Sequence, residues 1–312
     1  MIRVGVIGVG AMGKHHARIY SQMDDVELVG VADTDAKTAM EIALKYETEP
    51  FNEPEKLLKN DLDAVSIAVP TSRHKDVALK VASYGVHMLI EKPIAESLES
   101  ADAIIEAARR ENVKLLIGHV ERFNSVVLKL KEVISSGELG EILSISCRRV
   151  GPYPPRIKDV GIIIDLAVHD IDVITYLYGK RATSVYTIAG NSFHIKEDHA
   201  SILLNYDKEK SGIVETNWLT PHKVRKLTVT GTKGVAYADY LEQSLEIWKE
   251  EGREEVSIEK REPLKNELEH FLDAIVKDEK PSPSGEEGKY ALYVALSAIK
   301  SYESGSNISL IA

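Results

Sequence analysis

Three groups of residues in this chain have the types and spacing to do chemistry. The first is Gly8-Val9-Gly10-Ala11-Met12-Gly13. It follows an apolar, β-branched run, Ile2 to Ile7, and precedes a helical segment through Ala17 and Tyr20. Gly-x-Gly-x-x-Gly in that setting gives a tight turn at Gly8, close approach of a pyrophosphate at Gly10 and close helix–strand packing at Gly13. The helix start adds free amides and the positive end of a dipole. Asp33 ends the next apolar run, Val26 to Ala32, about twenty residues past the third glycine, where a carboxylate accepts bonds from the adenosine ribose. It would repel a 2′-phosphate, and the nearest basic residue is Lys37, so NAD is expected over NADP. Asp33 would also serve as a cap for a helix over 35–46.

The second group is His87 to Pro93, His-Met-Leu-Ile-Glu-Lys-Pro. It reads as a buried strand ending in an acid and a base, and ligands of open α/β sheets bind just outside the carboxyl ends of such strands. The third lies on a helix predicted from about Ile162 to Tyr178. Ile163, Leu166, Ile171, Ile174 and Leu177 form an apolar stripe, and Asp165, His169 and Asp172 share another face at spacings of four and three. His169 would take a proton from a substrate hydroxyl, and Asp165 would fix its tautomer. Lys92 would hold the same hydroxyl and favour the developing alkoxide. Oxidation of an alcohol by NAD needs such a base, because hydride leaves carbon while a proton leaves oxygen. The plainer alternatives are a solvated Glu91–Lys92 ion pair and an ordinary polar helix face.

These groups need elements to position them. Strand-like runs Ala64 to Val69, Val86 to Ile90 and Lys114 to Ile117 alternate with helices from about Lys75 to Tyr84 and from Leu98 to Arg110. That alternation means βαβ units and a doubly wound parallel sheet, a Rossmann domain over 1–118. After a helix from Asn124 to Ser136, the run Glu141 to Val150 and several short runs from Thr183 to Trp248 read as one largely antiparallel open sheet. A second α/β domain is therefore expected over 119–312. Two helices, Leu264 to Lys277 and Glu286 to Ser304, close it, the last free to pack back on the first domain, and Ile308 to Ile311 would add a strand. Arg148 and Arg149 are neighbours on a strand, so only one of them faces any given site.

Composition narrows the function. The chain has 312 residues, 44% apolar and 28% charged, an ordinary globular balance that allows two domains. A net charge of −10 argues against nucleic acid or an anionic membrane as partner, so an anionic ligand needs a local basic pocket. The single cysteine, Cys147, excludes an intrachain disulfide and fits a reducing cytoplasm. The chain starts on a strand, with no signal peptide and no membrane-spanning run. No metal site is expected.

With these residues assembled, the chain resembles the Gfo/Idh/MocA family of sugar and polyol dehydrogenases. The resemblance rests on the glycine loop, Pro70-Thr71-Ser72-Arg73-His74, Glu91-Lys92-Pro93, Gly118-His119-Val120-Glu121-Arg122-Phe123, and Asp165 to Asp172 with its Asp-x-x-x-His core. It implies Lys92 and His169 as the catalytic pair, with Asp165 nearby. It implies a cofactor lined by Gly8, Gly10, Ala11, Met12, Gly13, Asp33, Val69, Pro70, Thr71, His74, Glu91 and Lys92, with Glu91 near the nicotinamide ribose. It also implies a homodimer or homotetramer built on the second sheet, which apolar positions on both faces of Ala200 to Leu219 support. The chain departs from the pattern at Asp159 to Ile164, where many members are glycine-rich, and at Ser125, where proline is common. Within the family it looks most like the UDP-N-acetylglucosamine 3-dehydrogenases. Arg122, Arg148 or Arg149, Tyr153, Arg156 and Lys158 would then help bind a UDP-sugar beside Lys92, Asp165 and His169. A dehydrogenase of free inositol or another polyol, or a sensor that binds NAD without turnover, are the other expectations.

Overall fold

Apolar residues run without alternation through the first strands, and such strands need cover on both faces. In a computed structural model, which describes residues 1–155, 160–207 and 209–310, they receive it. The strands are β1 (Ile2–Ile7), β2 (Val26–Ala32), β3 (Glu49–Phe51), β4 (Ala64–Ile67), β5 (His87–Glu91) and β6 (Leu115–Gly118). They form a parallel sheet in the order β3-β2-β1-β4-β5-β6. Val4, Val6, Val65, Ile67, Met88, Leu89, Ile90, Leu116 and Ile117 are wholly buried. Helices α1 (Gly13–Tyr20), α2 (Ala36–Lys45), α3 (Pro54–Leu58), α4 (His74–Ser83) and α5 (Leu98–Arg110) lie between them. The strand order reverses between β1 and β4, and it is at such a switch point that a doubly wound sheet opens a crevice. The glycine loop follows β1, and Val69 to Thr71 follow β4.

The second sheet has nine strands in the order β14-β13-β12-β11-β7-β10-β9-β8-β15. Its members are β7 (Ile142–Pro152), β8 (Ser184–Gly190), β9 (His199–Asp207), β10 (Lys210–Asn217), β11 (Leu219–Gly231), β12 (Gly234–Asp239), β13 (Ser244–Lys249), β14 (Gly252–Val256) and β15 (Ile308–Ser309). All neighbours are antiparallel except β7 and β10, which run parallel. Burial alternates along the strands. On β9, Ala200, Ile202, Leu204 and Tyr206 are buried, while Leu203 between them is exposed. Helix α6 (Ser125–Ser135) lies against β12 and β13, and α7 (Val168–Tyr178) against β7 and β10. The outer face keeps a paired apolar row, Tyr186, Leu203 and Ile213 on β8, β9 and β10. Beside it runs a charged row, Glu215, Arg148, Lys226 and Asp239 on β10, β7, β11 and β12.

The domain division differs from one continuous cut. One compact unit comprises 1–119 with 264–290, the other 120–263 with 291–312. The return to the first unit is made by α8 (Pro263–Val276) from Leu264 onward and by residues 285–290 of α9 (Gly285–Ser304), not by the last helix as a whole. Backbone bonds fix it, Ile117 N–H donating to Pro283 O at 2.9 Å. Local periodicity cannot reveal a contact so distant in sequence. Three other short elements escape the pattern, one of them α3, a five-residue helix opened by Pro54. β3 is only three residues long and contains Pro50. β14 is mostly charged, and its ladder with β13 holds it. Ile311, expected to end the last strand, lies outside the described residues.

Leu116 is fully buried in β6. Leu116→Ala should cost about 3 kcal/mol, read as a lower urea midpoint at unchanged slope.

Candidate active site

In the first unit the glycine loop has the shape a pyrophosphate needs. Gly8 has φ +84°, a backbone region that favours glycine. A Cβ at Gly13 would collide with the Gly8 carbonyl oxygen, so α1 and β1 approach as only glycine allows. A Cβ at Gly10 would meet nothing within 4 Å, and Gly10 and Ala11 are exposed at the crest of the loop. Met12 precedes α1 without a capping side chain, and the first turn carries no acid, so the helix amides are left for an anion. Asp33 is half-buried at the end of β2. Its Oδ2 accepts from Val9 N–H and its Oδ1 from Asp35 N–H, both at 2.9 Å. The cap of α2 is Asp35, whose side chain accepts from Lys37 N–H. Asp33 is thus fixed against the glycine loop, and each carboxylate oxygen retains capacity for a ribose hydroxyl. These residues fit NAD.

The turn after β5 carries Lys92, which is half-buried. Glu91 before it is 8% exposed, and its Oε1 lies 2.9 Å from His16 Nε2. His16 Nδ1 lies 2.9 Å from Ser66 Oγ, which also meets Tyr20 OH at 2.9 Å. Burial pushes the Glu91 carboxyl up. The bond to His16 and the pull of His16 and Lys92 more than reverse this, leaving it below the usual carboxylate range. His74 was expected to line the cofactor. It is 1% exposed with both ring nitrogens against backbone carbonyls, Nδ1 on Pro93 O and Nε2 on Val69 O, each at 3.0 Å. It therefore shapes the loop and does not offer a nitrogen to a ligand. Val69 and Thr71 are half-buried and Pro70 is exposed.

In the second unit the single α-helix expected from Ile162 is broken in two. Residues Ile163–Ala167 form a π-helical turn, and α7 follows. Asp165 sits in the wider turn and His169 in the first turn of α7. Such turns occur often at functional sites. The polar face is not solvated. Asp165 is 8% exposed, Asp172 only 1%, and His169 is half-buried. The segment is anchored by Glu197, whose Oε1 accepts from Ile163 N–H at 3.3 Å. A side chain at Gly161 would displace that carboxylate from its place beside the turn.

Two expected anion-binding arginines have other work. Arg122, expected to bind substrate, forms a buried bidentate pair with Asp172, Nε to Oδ2 at 2.6 Å and Nη2 to Oδ1 at 2.5 Å. Arg149 is the inward member of its pair. It grips Asp170 through two bonds of 2.9 Å and Glu121 through one of 2.6 Å. Burial pushes Glu121 up, but Arg149 and Arg225 hold it below the usual range. Arg148 lies on the outer face beside Glu215. Arg156 and Lys158 lie outside the described residues. Tyr153 is half-buried, stacked on His194 at 3.7 Å and edge-on to Trp218 at 5.2 Å. Arg225, which no motif marked, bonds Glu121 at 3.2 Å and feels the charge of Asp165. His16 was missed as well. Its spacing of four from Tyr20, both polar-tipped on a buried helix face, was the available signal. Among the described residues no cluster of three or more potential metal ligands occurs, and no helix is long and apolar enough to cross a membrane.

Comparison with known proteins places this geometry. Residues 2–119 match the oxidoreductase family with an NAD-binding Rossmann fold, and residues 127–237 match the GFO/IDH/MocA C-terminal domain. UDP-N-acetylglucosamine 3-dehydrogenase of Acidithiobacillus ferrooxidans is 30% identical over 305 residues, 95% of each chain. Myo-inositol 2-dehydrogenase of Thermotoga maritima is 28% identical, covering 99% of this chain and 98% of the other. A solved structure of the Acidithiobacillus enzyme superposes with a TM-score of 0.91 at 31% identity, over 97% of this chain and 98% of that one.

Two substitutions test these assignments. Asp33→Ala should weaken NAD about tenfold or more, because a charge-assisted bond to the ribose is lost, as measured by nucleotide titration. Asp172→Ala should cost about 3–5 kcal/mol in chemical unfolding, because it strands the Arg122 guanidinium in the core.

Proposed function

Because the chain belongs to the GFO/IDH/MocA family of NAD-binding oxidoreductases, we propose that it oxidises a secondary hydroxyl of a UDP-sugar, at C3 of UDP-N-acetylglucosamine. The observation that carries the substrate is the likeness, along nearly the whole chain, to an enzyme with that activity. The chain is a dehydrogenase of sugars or polyols that uses NAD. Gly8, Gly10 and Gly13 with Asp33 would hold NAD, which when bound would supply the hydride acceptor.

The remaining work falls to side chains. His169 takes the hydroxyl proton. Asp165, buried and one turn away, orients the imidazole and stabilises its cation. Lys92 donates to the same oxygen and favours its negative charge as the carbon is oxidised. The 3-keto sugar then leaves for a step acting on a ketone.

One observation favours the second reading, a dehydrogenase of free inositol or another polyol. Arg122 and Arg149 are bound to buried carboxylates. A diphosphate would rely on Arg225 and on Arg156 and Lys158. Two copies of the chain are expected to associate through the outer face of the second sheet, since Tyr186, Leu203, Ile213, Tyr237 and Trp248 are all more than a third exposed there.

Absorbance of reduced nicotinamide decides the substrate. With NAD, a rise on adding UDP-N-acetylglucosamine and none with UDP-glucose, myo-inositol or glucose is expected; a rise only with free polyols would move the reading to inositol. Lys92→Met should lower turnover by about a thousandfold while NAD still binds. Near-normal turnover would remove Lys92 from the mechanism. Light scattering at micromolar concentration should show a dimer or tetramer.

A further inference from the structure

Two buried histidines of the first unit flank Lys92 along the chain. His16, on α1, holds the side chain of the preceding residue, Glu91, through Nε2 at 2.9 Å. His74, the first residue of α4, meets the residues that follow. Its Nδ1 lies 3.0 Å from Pro93 O and 3.3 Å from Ile94 O, and its Nε2 lies 3.0 Å from Val69 O. Glu91 is the last residue of β5, so the carbonyls at 93 and 94 lie beyond the strand ladder. The His74 ring stands there as a rigid spacer between the loop after β4 and the turn after β5.

An ammonium that stabilises a developing alkoxide acts only where it is placed, and a misplacement of about 1 Å costs about a hundredfold. The lysine stem is flexible, so what the fold can fix is the backbone that presents it. We propose that His74 is a positioning residue for Lys92, donating its Nδ1–H to the carbonyls of Pro93 and Ile94 and so fixing the turn from which the ammonium is presented. The inference rests on the reading of Lys92 given above. Two oxygens face Nδ1 and one faces Nε2; with the single proton of a neutral ring on Nδ1, two carbonyls are served and Nε2 meets the Val69 carbonyl with no hydrogen between them. Burial lowers the pKa of His74 against the pull of the three carbonyls and Glu91, which agrees with a neutral ring.

Three variants separate the nitrogens. His74→Asn places an amide N–H near the position of Nδ1, His74→Gln near that of Nε2, and His74→Leu at neither. The holoenzyme would be assayed with UDP-N-acetylglucosamine, or with whichever sugar of the panel reduces NAD, and NAD affinity would be titrated in parallel. Expected is a fall in kcat of about a hundredfold for His74→Leu, with KM and NAD affinity within about twofold. His74→Asn should recover most of that loss, and His74→Gln little of it. Asparagine no better than leucine, glutamine better than asparagine, or a loss that falls on NAD affinity and not on kcat would each overturn the assignment. Should His74→Leu not fold, the two amides decide. Lys92→Met is measured beside them. If it retains turnover, the reading of Lys92 fails; if it is inactive while all three His74 variants turn over normally, only the role of His74 fails.

Discussion

The absence of a side chain at Gly13 sets the distance between α1 and its sheet, since any Cβ there would strike the Gly8 carbonyl. That closeness brings His16, three residues on, within 2.9 Å of both Ser66 and Glu91, and sets Tyr20 against the same serine hydroxyl. The loop shaped for phosphates and the turn that carries Lys92 are thereby joined through one helix. They share more than a sheet. A buried polar chain of this kind is worth most when every member is satisfied, and each of the four has a partner within it. A bulkier residue at 13 would therefore disturb both nucleotide binding and the placement of the lysine.

The second unit solves a different problem, that of bringing charged residues into a core. Arg122 with Asp172, and Arg149 with Asp170 and Glu121, tie the stretch after β6 and strand β7 to helix α7. Pairs like these add little net stability over apolar packing, but breaking one is costly. Their use here is geometric: bidentate forks allow few orientations. The helix that carries His169 is thus held by guanidinium groups on its flank.

Much of this was legible in the residues. The run from Ile2 through Gly13, the helix Leu98–Arg110 and the strand ending in Glu91 each carry a local signal, and all three fold as their patterns require. The sites of Lys92, Asp165 and His169 were marked by the type of residue at an element's end or on a helix face. What escaped was non-local or off-period. The π-helical turn breaks the 3.6-residue spacing that placed Asp165, His169 and Asp172 on one face. The partner of Arg122 lies fifty residues away, and that of His16 seventy-five. A charge can be read from a sequence, but whether another charge already holds it cannot.

The outer row Glu215, Arg148, Lys226 and Asp239 reads minus, plus, plus, minus, the same from either end. Symmetry gives that order a consequence. A two-fold operation that lays this face on a copy of itself, with its axis along the row or along the strands through its middle, sets like charge over like. A closed pair of copies built on this face would keep the row off such an axis. The axis would be displaced toward Tyr186, Leu203 and Ile213, where what is opposed is apolar and indifferent to sign.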